Sequence, residues 1–119
     1  VDRRVTLPPL PLLATAALFL GAASAALAHQ LNVFASPDCE VVLIEAKFSS
    51  GRVPVMGEVR ILDGDNTLLL TRELGEDGTL RVTLAELDAT SGLLIEVDTG
   101  DHNDYWILTP EDIARKCQS

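Results

Sequence analysis

The feature that most restricts the fold of this chain is a series of short runs with an apolar residue at every second position. Turn-forming residues separate these runs. The run from Glu40 to Phe48 shows the pattern most clearly, because four apolar side chains alternate there with residues such as Glu45 and Lys47. A period of two is typical of a strand with one buried face. Seven such runs at regular spacing predict an antiparallel sandwich. The predicted strands are residues 31–35, 40–48, 58–62, 67–73, 79–84, 93–98 and 105–108.

A short helix is predicted to follow the last strand. Thr109 is a good N-cap, Pro110 suits the first helical position, and Glu111 adds an acid to the first turn, so residues 111–116 should be helical. Residues 84–87 fit either the end of the fifth strand or a helical turn. The predicted fold class is therefore an all-β, seven-stranded antiparallel Ig-like or prealbumin-like β-sandwich with a short C-terminal helix.

The N-terminal segment has the pattern of a signal peptide. Arg3 and Arg4 precede an apolar stretch, and Ala26 and Ala28 place small residues where a signal peptidase requires them. We therefore expect residues 1–28 to be removed on export and residues 29–119 to form one domain in the periplasm. No second long apolar run follows, so no membrane span is expected after cleavage. An uncleaved membrane anchor is the alternative.

The charge of the mature segment restricts its partners. Without Asp2, Arg3 and Arg4, the chain keeps 17 acidic and 7 basic side chains, a net charge of −10. Such a balance argues against binding nucleic acid, which requires clustered Lys and Arg. It also raises the local concentration of cations.

Two cysteines and two histidines are placed in a related way. If each strand runs antiparallel to the one before it, Cys39 and Cys117 fall at one end of the sandwich, and His29 and the loop that holds His102 fall at the other. In an oxidising compartment, the first pair is expected to form a disulfide. Two distant thiolates as metal ligands are the less favoured alternative.

The two histidines form a candidate metal site. Cleavage after Ala28 would leave His29 as the first residue, so that its α-amine and imidazole could chelate one divalent ion, with His102 as the third nitrogen ligand. Nitrogen-rich sites are preferred by nickel and copper. Asp101, Asp104 or the backbone near Gln30 would fill a remaining position or orient an imidazole.

Three further residues near these histidines have open roles. Tyr105 and Trp106 are neighbours in a predicted strand, so one should face the core and the other should face outwards beside the site. Met56 is expected to fill the core, with a thioether ligand for Cu(I) as the alternative.

The sequence does not predict an enzyme. It has no Gly-x-Ser-x-Gly elbow, and neither histidine lies in a recognisable triad context. Glycine-rich phosphate loops, Cys-x-x-Cys and His-Glu-x-x-His are also absent from the sequence.

Several segments resemble the small extracytoplasmic accessory components of energy-coupling-factor nickel/cobalt transporters. They are AHQLNVFA at residues 28–35, FSSGRVP at 48–54, EVRILD at 58–63, EDG at 76–78 and VDTGDH at 97–102. The resemblance implies capture of Ni(II) or Co(II) through His29 and His102, beside the transmembrane subunits of a transporter. The cysteine pair departs from the pattern of this family. A periplasmic copper-binding sandwich and a metal-free interaction module are the other two hypotheses.

Overall fold

A computed structural model describes residues 30–117 as seven strands, one 3₁₀ turn and one helix. The predicted signal peptide, residues 1–28, and His29 lie outside the described residues, as do residues 118–119. The elements are β1 (Leu31–Pro37), β2 (Val41–Phe48), β3 (Glu58–Asp63), β4 (Leu68–Glu73), β5 (Thr79–Thr83), a 3₁₀ turn (Leu84–Glu86), β6 (Leu93–Asp98), β7 (Asn103–Leu108) and α1 (Pro110–Cys117).

The strands form two antiparallel sheets. One sheet has three strands in the order β1-β2-β5, and the other has four in the order β4-β3-β6-β7. Every hydrogen-bonded pair of neighbouring strands is antiparallel. Buried residues of both sheets belong to one hydrophobic core cluster. The structure therefore confirms the prediction of a mostly β fold with seven strands in two antiparallel sheets and a C-terminal helix.

The alternation visible in the sequence corresponds to the buried faces of the strands. In β2, Val42 and Ile44 have no exposed surface and Ala46 is 3% exposed, whereas Phe48 at the strand end is half-buried. In β3, Val59 and Ile61 are also fully buried. Complete burial of a valine or isoleucine side chain stabilises a fold by about 1.5–3 kcal/mol. These strands therefore supply the centre of the core.

The last strand begins earlier than its sequence predicts. β7 starts at Asn103 instead of Tyr105, because Asn103 pairs with Asp98 and Asp104 pairs with Val97 of β6. Polar side chains are compatible with pairing here because β7 lies at the edge of its sheet. The turn at Leu84–Glu86 matches the helical alternative for that segment.

The prediction that the two aromatic residues of β7 lie on opposite faces of the sheet is confirmed, because Trp106 is directly opposite the fully buried Ile95 and Tyr105 is opposite Glu96. Tyr105 is 58% exposed and Trp106 is 37% exposed. The ring of Trp106 packs edge-to-face against that of Phe34 in β1, with 4.9 Å between the ring centroids. Trp106 stays partly exposed because β7 lies at the edge of its sheet, where the inner face meets β1 at the rim of the core.

The disulfide predicted from the strand count is confirmed. Cys39, in the turn after β1, is bonded to Cys117 at the end of α1, and their Cα atoms are 4.7 Å apart. The helix begins with a reciprocal cap in which Thr109 Oγ1 accepts the N–H of Asp112 and Asp112 Oδ2 accepts the N–H of Thr109, both at 3.1 Å. The cap starts α1 at Pro110 and so determines where Cys117 lies.

Candidate functional site

The beginning of β1, the end of β2 and the beginning of β7 meet at one end of the sandwich, which we call the His102 end. The carbonyl of Gln30 accepts the N–H of Ser49 at 2.7 Å, and the N–H of Gln30 donates to Ser49 Oγ at 3.2 Å. Phe48, one residue before Ser49, contacts His102. The first described residue of the chain is therefore held close to the segment that packs against the histidine.

His102 lies in a tight connection between β6 and β7. Its carbonyl accepts the N–H of Thr99 at 2.9 Å and the hydroxyl of Thr99 at 3.2 Å. Gly100 has a φ of +103°, a conformation that glycine adopts without strain, and its N–H donates to Asp98 Oδ1 at 2.8 Å. These local bonds hold the backbone of His102 in one position, independently of its side chain.

The imidazole of His102 is half-buried against Phe48. The two ring centroids are 5.4 Å apart and the rings are inclined at 72°. A cleft of about 180 Å³ opens beside them and is also lined by Ser50 and Arg52. The site therefore combines an imidazole, an aromatic ring, a hydroxyl and a guanidinium.

Arg52 is a component of this cleft that we did not single out from the sequence. It belongs to the FSSGRVP segment, which carried the family resemblance, and that segment was the available signal. A guanidinium is always charged at physiological pH. A metal ion at His102 would therefore need electron-rich ligands, or an accompanying anion, to offset the charge of Arg52.

The three residues expected to support the histidines have different positions. Gln30 is exposed beside Ser49, and Asp101 is exposed in the loop before His102. Asp104 is partly buried in β7, and its Oδ2 accepts the backbone N–H of Val33 in β1 at 2.8 Å. One oxygen of Asp104 is therefore already committed to a contact between strands.

The proposed metal ligands are not all within the described part of the chain. His102 is the one histidine in residues 30–117, and His29 lies outside them. In residues 30–117, no group of three or more His, Cys, Asp and Glu side chains is arranged so that it could hold a metal ion. Joint ligation by His29 and His102 stays a prediction.

Met56 does not fill the core. It is 69% exposed in the connection between β2 and β3, next to Val55, which is 73% exposed. The expectation of a core position is wrong because the connection crosses the outside of the sandwich end. The thioether of Met56 is therefore accessible to solvent.

The described part of the chain has no helix that is long and apolar enough to cross a membrane, since α1 has eight residues.

The chemistry of the His102 end and the motifs quoted above are the basis for a functional proposal. Comparison of the chain with known protein families, with curated proteins and with solved structures found no match in any of the three.

Proposed function

We propose that this chain is an exported metal-binding protein that assists nickel or cobalt uptake by an energy-coupling-factor transporter. In this proposal it acts in the periplasm, beside the transmembrane subunits of that transporter. Its two sheets form an Ig-like or prealbumin-like sandwich that presents the metal site at the His102 end. The ligands are the α-amine and the imidazole of His29 together with the imidazole of His102.

The observation that carries the proposal is the position of Gln30. Its backbone is hydrogen-bonded in both directions to Ser49, and the neighbouring Phe48 packs against the ring of His102. His29 is the residue directly before Gln30 in the sequence. The placement of Gln30 therefore supports a shared site for the two histidines.

The donor set suits a borderline divalent ion. An α-amine and an imidazole of the same residue can bind one ion as a chelate, and His102 adds a third nitrogen. Such ligands favour nickel and copper over calcium and magnesium, which prefer oxygen. The net charge of −10 attracts cations to the protein as a whole, whereas Arg52 opposes a bare dication at the cleft.

Copper is the second candidate, and one observation favours it. Met56 is 69% exposed, and a thioether is a soft ligand that suits Cu(I). Cu(II) also binds most nitrogen sites more tightly than Ni(II) does. If Met56 contributes to binding, Met56→Leu should weaken the binding of Cu(I) and leave the binding of Ni(II) unaffected.

The direct test uses the mature protein beginning at His29, with its disulfide intact, and isothermal titration with Ni(II), Co(II) and Cu(II). We compare it with the same protein acetylated at the α-amine and with His102→Ala. Each change should weaken Ni(II) binding by about a hundredfold or more, since loss of a residue that only orients a ligand already lowers metal affinity by about 10–100-fold. Asp65→Asn, at an exposed acid in the turn between β3 and β4, is the control for the loss of one negative charge away from the site.

The outcomes separate the hypotheses. If acetylation and His102→Ala both leave nickel and copper affinity at the parental value, the site does not exist and a metal-free interaction module is the better assignment. If the site is present, uptake of radioactive nickel by cells that express the transporter should fall when His102→Ala replaces the parental chain.

A further inference from the structure

Three carboxylates stand in a row across three adjacent strands of the four-stranded sheet. Glu58 in β3 is directly opposite Glu73 of β4 on one side and Asp98 of β6 on the other. Residues directly opposite in antiparallel strands project from the same face, and all three residues are exposed. Like charges in this arrangement destabilise the isolated sheet.

No ion pair among the described residues includes a residue of this row, although Arg60 lies on the same face two positions from Glu58 and lines one cleft with Glu58 and Asp98. Within residues 30–117 the ion pairs are Arg60–Glu96, Arg72–Glu86 and Arg115–Asp112, and none of them includes a residue of the row. Asp98 uses one oxygen to accept the N–H of Gly100. The repulsion therefore stays uncompensated by any ion pair among these residues.

The row lines a groove of mixed polarity next to the His102 loop. The groove has a volume of about 550 Å³, and its walls include Val55, Met56 and a fourth acid, Glu76. Val55 is 73% exposed and Met56 is 69% exposed, so two large apolar side chains stand free beside the carboxylates. Methionine is flexible and polarisable, and it is common at surfaces that accommodate a partner. We call this surface the acidic groove.

The spacing of the charges favours an extended partner over an ion. Adjacent strands are about 4.8 Å apart, so the row spreads its charges over about 10 Å. No group of acids within the described residues is arranged to hold a metal ion. A polypeptide with basic side chains two residues apart, about 6.5–7 Å when extended, can follow such a row.

We propose that the acidic groove is a docking site for a basic segment of a partner protein. Lysine or arginine side chains of the segment lie along Glu73, Glu58 and Asp98, and an apolar side chain on the same face of the segment, two residues further along, packs against Val55 and Met56. This inference goes beyond the proposed function, because it needs neither His29 nor a bound metal.

The test uses the peptide Gly-Lys-Gly-Lys-Gly-Leu-Gly-Lys, whose lysines and leucine share one face when it is extended. The peptide is blocked at both ends and labelled with a fluorophore, and its anisotropy is measured on titration with the mature protein. The test variant is Glu58→Gln/Glu73→Gln/Glu76→Gln. The control variant, Glu40→Gln/Asp65→Asn/Glu111→Gln, removes the same net charge at exposed positions outside the groove. We expect the test variant to bind about tenfold more weakly, because several ion pairs are lost together, and the control to change less than about twofold.

Two further readouts make the proposal specific. Val55→Ser/Met56→Ser should weaken binding of the peptide, whereas Ile107→Thr, at another exposed apolar position, should leave binding unchanged. Glu58→Gln should raise the melting temperature of the free protein while it weakens binding, because the same charge repels its neighbours and attracts the partner. Circular dichroism and an intact disulfide verify that each variant folds.

Equal losses in the two charge variants would show that only the net charge attracts the peptide, and that result would overturn the proposal. A fall in the melting temperature of Glu58→Gln would contradict the uncompensated row. Since the peptide assay contains no metal, a failure here leaves the nickel titration untouched, and a failed nickel titration leaves the acidic groove untouched.

Discussion

Asp104 Oδ2 accepts the backbone N–H of Val33 at 2.8 Å, and this hydrogen bond joins β7 at the edge of one sheet to β1 at the edge of the other. Trp106 and Phe34 make an aromatic contact along the same seam. The two sheets are therefore connected along this side by side-chain chemistry, in addition to the core between them. The seam runs towards the His102 end, since β7 begins immediately after His102.

Asp104→Ala should destabilise the protein by about 1–3 kcal/mol, because the N–H of Val33 is partly buried and would lose its acceptor. Urea denaturation followed by circular dichroism measures the change. Asp101→Asn, an exposed substitution three residues earlier, should alter the free energy of unfolding by less than about 0.5 kcal/mol. Equal effects of the two substitutions would show that the bond across the seam contributes nothing.

Loss of the disulfide should be the largest single effect on stability. Cys39 and Cys117 are separated by 78 residues, so their bond restricts most of the unfolded domain. In the chain-entropy model, closing a loop of this length with a disulfide stabilises the folded state by about 4–5 kcal/mol. Chemical denaturation of Cys39→Ser/Cys117→Ser, compared with the oxidised parent, tests this value. Two reactive thiols in the oxidised, native parent would contradict the bond itself.

The acid dependence of stability should include the helix cap. The backbone N–H of Thr109 first, and then its hydroxyl and Arg115, hold the pKa of Asp112 below its ordinary value. A carboxyl with a lowered pKa in the folded state stabilises the protein above its unfolded pKa of about 3.9, and this contribution is lost as the pH falls through the folded value. In an NMR titration, Thr109→Val should move the pKa of Asp112 upwards.

The control for this titration is another acid with a similar cause. Hydrogen bonds from Thr90 hold the pKa of Asp88 down in the same way, so Thr90→Val should raise the pKa of Asp88 and leave that of Asp112 unchanged. An unchanged pKa of Asp112 in Thr109→Val would show that the Thr109 hydroxyl does not lower that pKa. Asp38 and Asp77 also have lowered pKa values, because neighbouring groups donate hydrogen bonds to them.

Nickel binding at the proposed site should weaken steeply in mild acid. The α-amine and the imidazoles bind a metal only without their protons, and unperturbed groups of these kinds titrate near about 7.8 and about 6.5. Affinity measured by titration calorimetry should therefore fall between about pH 8 and pH 6, and the acetylated protein should lose the upper part of this dependence. An affinity that stays the same between about pH 8 and pH 6 would exclude nitrogen ligation.

The alternation of apolar and polar residues along the chain determined the strands, because burial of one face imposes a period of two. The pattern in β2 led directly to the buried positions of Val42 and Ile44. The number of strands, all reversing direction, was also enough to predict the Cys39–Cys117 bond. These features depend on local periodicity and on parity, both of which can be read from a single sequence.

Only the tertiary structure decided which groups meet across the two sheets. The partial exposure of Trp106 on the inner face follows from the edge position of β7, and strand order is not encoded in any local pattern. The contact of Asp104 with Val33, the presence of Arg52 beside His102 and the row centred on Glu58 depend on register between segments distant in sequence. Register follows from the packing of the whole core, so these relationships appear only when the sheets are assembled.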